Sequence, residues 1–345
     1  VLGYDPLDHA CLYEAARVDS TEASARLRGA LRDDVQNWID LALELRACGL
    51  HDDADEVLRG APGRHPIVAL LLGERADQAD PLQGLFPNRL QEMIALEQGV
   101  ERHPDDWTAR TLLGHFYYDR RRYDEAIAQW EASVALNPRQ SVAWRNLGIA
   151  YTNVLADVEA GLAAYVQAVE ADPSDARLVY EQDQLRKRAR WSPAKRLALL
   201  EAVPDLVARR DDLTLELASL YNQSGQPERA VLLLESRTFT PWEGGEGIAL
   251  AQHARAHLLL SRKALRSGSA KEAVRLLELA LSCPERLGEN RHLLANASDL
   301  WIAMGDSLLA AGDPAAAEDF FRRAAEFRGD FQEMEVRNFS EMTYF

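Results

Sequence analysis

Several features are scarce in this chain of 345 residues, and each scarcity removes a class of function. No run of about 18 apolar residues occurs, so no stretch reads as a membrane-spanning helix. No signal peptide opens the chain and no Met stands first, so the start at Val1 reads as that of an excised fragment. Basic charge is in deficit: 39 Lys and Arg stand against 55 Asp and Glu, a formal net charge of −16. That sign of charge does not displace counterions from nucleic acid or draw the chain to an anionic bilayer, so neither is expected as a partner. Basic, neutral or sugar-like partners stay open, and so does the plain reading of the charge as an aid to solubility. Lys is nearly absent beside plentiful Arg, the usage of a GC-rich bacterial genome.

Cysteine is also scarce. Cys11, Cys48 and Cys283 are odd in number, far apart and set in helical patterns, which fits free thiols in a reducing compartment and a cytoplasmic location. No apolar–polar alternation of strand type appears. No P-loop or nucleophile elbow is present, and Gly244 to Gly247 follows no strand, so it is not a dinucleotide fingerprint. His253 and His257 lie four apart on one helical face, a spacing that chelates metals, but Ala254 stands where zinc proteases carry Glu. Two solvent-facing histidines are the simpler reading. No cofactor, no metal and no catalytic residue is expected.

What the chain does have is a repeat. Pro104, Pro138 and Pro173 are spaced 34 and 35 residues apart. Trp107 to Gln140 is the clearest unit, with Leu113, Gly114, Tyr117, Ala126, Trp130, Ser133 and Pro138 in order. The next unit repeats the scheme as Trp144, Leu147, Gly148, Tyr151, Gly161, Tyr165, Ala168 and Pro173, with one extra residue near Asp157. Two helices of about twelve residues that approach closely require this alternation. Small residues sit where backbones cross, large ones fill the space beside them, and Pro stops the second helix.

This pattern resembles the tetratricopeptide repeat. The resemblance implies an all-α, right-handed α-α superhelix of about eight helical pairs, a solenoid. Weaker units surround the two clear ones: Trp38 to Leu58, a degenerate stretch from His65 to Pro104, Leu217 to Leu234, Ala273 to Pro284 and Trp301 to Ala324. The organisation expected is degenerate repeats over 1–104, two clear units over 105–173, divergent units over 174–330, and the start of a further repeat over 331–345, where Phe331, Met334, Phe339 and Met342 keep helical spacing. The segment 174–204 departs most, because Glu181 takes a small-residue position and either bends the unit outward or meets Arg186, Arg188 or Arg210 in a buried pair.

Several phrases resemble something narrower: Phe86-Pro87-Asn88-Arg89-Leu90, Arg145-Asn146-Leu147-Gly148, Tyr180 to Leu185, Arg210 to Leu213, Phe239 to Gly247 and Leu287-Gly288-Glu289. Together they look like bacterial proteins in which such an array follows a β-rich domain of galactose-mutarotase type. The resemblance starts near Leu85, and its most specific piece is Pro241-Trp242-Glu243-Gly244-Gly245-Glu246-Gly247.

The repeat resemblance places ligands on a concave face lined by first helices. Thr111, His115 and Tyr118 in the first clear unit, Arg145 and Asn153 in the second, and Asp212, Ser219, Asn222, Arg255 and Arg262 later are the exposed positions it implies. One Arg with one Asn makes a poor carboxylate clamp. The glycines around Trp242 let backbone approach a ligand, and Trp242, Glu243 and Glu246 suit a sugar or an aliphatic chain, with Glu246 also at a helix N-terminus. Equally, the loop joins repeats and Trp242 packs back on them. Asp183, Asp211, Asp212, Glu216 and Glu289 add carboxylates, of which a facing pair is what glycoside cleavage requires. The leading expectation is a scaffold that binds a protein or peptide, including its own N-terminal domain. The alternative is the accessory part of a carbohydrate enzyme.

Overall fold

The structure is a computed structural model that describes residues 5, 8–18, 21–76, 85–242, 245–291 and 296–327. The expected further repeat over 331–345 lies outside the described residues, as does Glu243. The chain divides into two compact units after Asp172. The first contains α1 His9–Val18, α2 Glu22–Leu31, α3 Val35–Ala47, α4 His51–Gly60, α5 Pro66–Leu71, α6 Leu90–Arg102, α7 Trp107–Asp119, α8 Tyr123–Leu136, α9 Ser141–Asn153 and α10 Val158–Ala171. The second contains α11 Ala176–Arg188, α12 Pro193–Glu201, α13 Pro204–Arg209, α14 Asp211–Gln223, α15 Pro227–Glu235, α16 Ile248–Arg266, α17 Ala270–Leu281, a 3-10 turn Glu285–Leu287, α18 Ser298–Ala311 and α19 Pro314–Glu326. No strand occurs among the described residues, so they contain no counterpart of a β-rich domain.

Consecutive helices pack as hairpins within each unit. Three first helices, α3, α7 and α11, start on carboxylate caps, which satisfy backbone N–H groups that the helix leaves open. Asp34 accepts from Gln36 N at 3.0 Å, Asp106 from Ala109 N at 3.0 Å and Asp175 from Arg177 N at 2.8 Å. The turn inside a hairpin passes through a left-handed residue: Gly49, Gly225, Gly268 and Gly312 in four hairpins, but Arg121, Ala156 and Arg190 in three others. A side chain costs about 1 kcal/mol there, which glycine avoids. Arg121→Gly is therefore expected to raise stability by about 0.5–1 kcal/mol, measured by urea unfolding.

The repeat is set by contact between small and large residues. A Cβ added to Gly114 would run into the Trp130 indole, one at Gly148 into the Tyr165 ring, and one at Gly305 into the Phe321 ring. The three glycines occupy equivalent crossings of α7/α8, α9/α10 and α18/α19. A second recurrence joins one hairpin to the next. Tyr117 donates to Glu97 at 2.6 Å, Tyr151 to Glu131 at 2.8 Å and Tyr221 to Glu201 at 3.1 Å, each pair 20 residues apart. Hydroxyl and carboxylate thus fix how far one hairpin slides along its predecessor. The stretch from α11 to α13 lacks the glycine–aromatic crossing and inserts the short α13, and charge replaces packing there.

Candidate functional site

The first unit gathers the expected residues of the two clear repeats on α7 and α9. Thr111 is not a surface residue, which corrects its expected place. It is fully buried, its Oγ1 within hydrogen-bond distance of Trp107 O at 2.9 Å, Gln140 Oε1 at 2.8 Å and Ser133 Oγ at 2.6 Å, and its single hydrogen serves one of these at a time. A hydroxyl so enclosed satisfies buried polar neighbours and has no face open to a ligand. His115 is also buried, 8% exposed, with Nδ1 3.3 Å from Leu85 O and its ring against Phe86 and the edge of Trp130. Its Nε2 has no hydrogen-bond partner. Tyr118 is half-buried, its ring near Tyr123 at 5.1 Å and Trp130 at 5.4 Å. Arg145 is half-buried and Asn153 exposed.

A non-helical stretch of the chain lies against this face. Leu85 to Asn88 runs without helix along α7. Its Leu85 carbonyl faces His115, and its Asn88 carbonyl accepts from Arg120 Nη2 at 2.7 Å. Glu92 anchors the far end by accepting from Asn88 N at 2.8 Å and Arg89 N at 2.9 Å. Sequence reading took Phe86-Pro87-Asn88 as a family signature and missed its role, because nothing in the residues themselves says which helix they touch.

Burial pushes the His115 imidazole down to about 4 from its ordinary 6.5; the Leu85 carbonyl opposes this and Arg145 adds to it. His253 in the second unit is likewise down to about 4, through burial and the charge of His257. His253 and His257 are not solvent-facing as expected. Their rings stand 4.3 Å apart inside the unit, with His253 Nε2 2.9 Å from Leu279 O and His257 Nδ1 3.0 Å from His253 O. Two carbonyls occupy a nitrogen each, and no metal-binding cluster of three or more ligands occurs among the described residues. The His115 and His253 imidazoles stay neutral when folded and protonate more readily unfolded. Their contribution is complete above pH 6.5 and is lost as pH falls toward about 4. Between those limits each removes about 1.4 kcal/mol per pH unit. Urea unfolding at about pH 7 and about pH 5 is expected to show this slope, and His115→Gln to flatten it.

In the second unit the expected carboxylates separate into two groups. Asp183 and Glu216 come together on Arg196. Nε and Nη2 of Arg196 donate to the two Asp183 oxygens at 3.1 and 2.6 Å, and Nη2 also donates to Glu216. Lys187 Nζ at 3.3 Å and Gln184 Nε2 at 3.1 Å complete the Glu216 shell. Asp183 is 0% and Arg196 2% exposed. Burial holds the Asp183 carboxyl above its usual range despite Arg196. Burial also opposes ionisation of Glu216, but Lys187 and Arg196 outweigh it and hold that carboxyl low. Two carboxylates already bound by cations in a closed interior have neither proton nor path to offer a glycosidic bond. The buried partner is not Glu181, which pairs instead with Arg177 at 2.8 Å.

Asp211 and Trp242 serve the loop between α15 and α16, whereas Asp212 stays at the start of α14. Asp211 pairs with Arg237 and accepts from Thr240 N at 3.0 Å. Asp212 accepts from Arg210 at 3.0 and 2.6 Å. Phe239 is buried and its N–H donates to Arg286 O at 2.7 Å. Trp242 packs on the core of the unit with its indole across Gly245, where a Cβ would overlap it. The loop glycine thus makes room for the chain's own tryptophan. Glu246 is exposed, and the N-terminus of α16 is served by Glu289, which accepts from Gly247 N at 2.5 Å and Leu250 N at 3.1 Å. Ser219 and Asn222, expected on the surface, are buried, and Asn222 Nδ2 donates to Gln252 O at 3.1 Å.

No helix among the described residues is long and apolar enough to cross a membrane. Residues 95–141 and 113–176 match the tetratricopeptide repeat family. Solved structures similar to this chain include a tetratricopeptide repeat protein from Parabacteroides merdae ATCC 43184, at 13% identity and TM-score 0.38 over 88% of this chain and 97% of that one. Naa15/Naa10 bound to HypK-THB is similar at 16% identity and TM-score 0.46, over 73% of this chain and 36% of that one. YrrB, a tetratricopeptide protein with an unusual peptide-binding site, is similar at 12% identity and TM-score 0.28, over 72% and 98%. With its hairpin packing and the glycine–aromatic crossings at Gly114 and Gly148, the stretch 95–176 consists of tetratricopeptide repeats.

Proposed function

We propose that the chain is a scaffold that binds an extended segment of a protein partner on the α7/α9 face of its first unit. The observation that carries this reading is the placement of Leu85 to Asn88. That face already holds non-helical backbone through two carbonyls, one toward His115 and one on Arg120. Extended peptides offer every second carbonyl to such donors while their side chains reach pockets on either side. Tyr118, Arg145 and Asn153 line the continuation of the same face and supply an aromatic surface, a guanidinium and an amide. Arg145 suits an acidic or carbonyl-rich segment, as a planar fork of donors does. A β-rich domain on the same polypeptide, implied by the narrower resemblance, is one partner able to present such a segment. The role is binding, not bond-breaking.

A displayed library of random peptides selected against the whole chain tests the proposal. Enriched peptides are expected to lose at least about tenfold in affinity on Tyr118→Ala with Arg145→Glu, about 1.4 kcal/mol or more, at a temperature where circular dichroism shows the double variant folded. Peptides that bind the double variant as well as the parent would place the partner elsewhere.

A further inference from the structure

The short α5 leaves a feature that neither the repeat nor the α7/α9 face explains. First helices α3 and α7 have 13 residues each, whereas α5 has 6. Beside it the structure contains a cavity of about 300 Å³, walled by Leu43 of α3, Leu70 and Leu71 of α5, and Ile94 and Ala95 of α6. Leu43, Leu70, Leu71 and Ala95 are buried, while Ile94 is 43% exposed at the mouth. That volume is at the small end of ligand pockets, enough for a compact molecule and too small for a helix.

Two guanidinium groups complete the lining, and they differ. Arg46 is committed to Asp55 at 2.7 Å and to Leu71 O at 2.8 Å. Arg102 meets only neutral oxygens: Gly73 O at 2.8 Å, Gln98 O at 3.2 Å and Gln98 Oε1 at 3.4 Å. No carboxylate among the described residues pairs with Arg102. A guanidinium carries five N–H donors, and these contacts use three of them, leaving two donors and the full positive charge. In a chain of net charge −16, a cation without a carboxylate partner at an apolar cavity favours an anion of matching shape.

We propose that this cavity binds a small monocarboxylate with an apolar tail, the tail against Leu43, Leu70, Leu71 and Ala95 and the carboxylate on Arg102. The site is separate from the α7/α9 face and stands or falls without it. Calorimetric titration of the whole chain with octanoate, octanamide and a short peptide ending in leucine tests it. Octanoate is expected to bind one per chain and at least tenfold more tightly than octanamide, which has the same tail without the charge. Arg102→Met is expected to weaken octanoate at least tenfold. Ile94→Glu, at an exposed position and thus harmless to folding, is expected to abolish binding, and it decides the matter should Arg102→Met fail to fold. Equal binding of octanoate and octanamide, or octanoate binding that survives Ile94→Glu, overturns the proposal. So does a leucine-ended peptide that binds more tightly than octanoate, which would make the site one for chain termini, and so does self-association that octanoate reverses, which would make a second copy the occupant.

Discussion

Arg196→Ala is expected to lower the unfolding free energy by about 3–5 kcal/mol, a loss comparable to that of truncating a large core side chain. Arg196 is the cation shared by Asp183 and Glu216, and it is as buried as they are. Without it Glu216 keeps Lys187, but Asp183 loses both donors that hold it and stands near Glu216 with the shared cation gone. Two like charges cannot both remain ionised in so closed a space, so one protonates or the second unit opens. Asp183 is the carboxyl that gives way, because burial already holds it high. Urea unfolding at neutral pH measures the loss. Replacing the triad together with apolar residues of similar volume is expected to recover most of it, because desolvating three charges is itself costly. A loss below about 1 kcal/mol for Arg196→Ala would mean that water reaches the cluster and that Asp183 is not closed in.

That cluster also marks where sequence reading stopped. Glu181 was the visible anomaly, since it stands in a small-residue position, and a buried pair was one of its two expected outcomes. The buried pair exists, but two residues further on, at Asp183. A helix turns by about 100° per residue, so a shift of two residues turns a side chain by about 200°, to nearly the opposite side of the helix. Only the packing of α12 and α14 decides which carboxylate goes in. The same limit explains Thr111, His115, Ser219 and Asn222. Repeat resemblance assigns them to exposed faces, but a neighbouring segment or helix covers them, and for three of them cover comes from residues about 30 positions away: Leu85 for His115, Gln140 for Thr111, Gln252 for Asn222. The Trp242 loop was legible as unusual and as a junction between repeats. That Glu289 rather than Glu246 serves the helix it introduces depends on a contact across 42 residues. The helical period itself was fully legible, because Gly114, Gly148 and Gly305 each meet their aromatic residue 16 or 17 positions later on the same hairpin.

Gly114→Leu tests that period most directly. In a helix interior the exchange of glycine for leucine gains about 1 kcal/mol from backbone restriction alone. At Gly114 the gain is swamped, because the first carbon of any side chain already overlaps the Trp130 indole. To admit leucine, α7 and α8 move apart or Trp130 leaves its place. Leaving breaks its Nε1–H bond to Thr111 O at 3.1 Å and exposes the Thr111, Ser133 and Gln140 network. A net loss of about 3 kcal/mol or more is expected. Gly29→Ala in α2 is the matched control: nothing lies within 4 Å of an added Cβ there, so the propensity gain appears undiluted as up to about 1 kcal/mol of added stability. Trp130→Ala alone is expected to cost about 3–5 kcal/mol through the cavity it leaves. Combining it with Gly114→Leu puts new volume into that cavity, so the double variant is expected to lose less than the sum of the two by about 1 kcal/mol or more. Strict additivity would show that Gly114 and Trp130 do not touch, and the glycine–aromatic crossing that defines the repeat would then be misplaced.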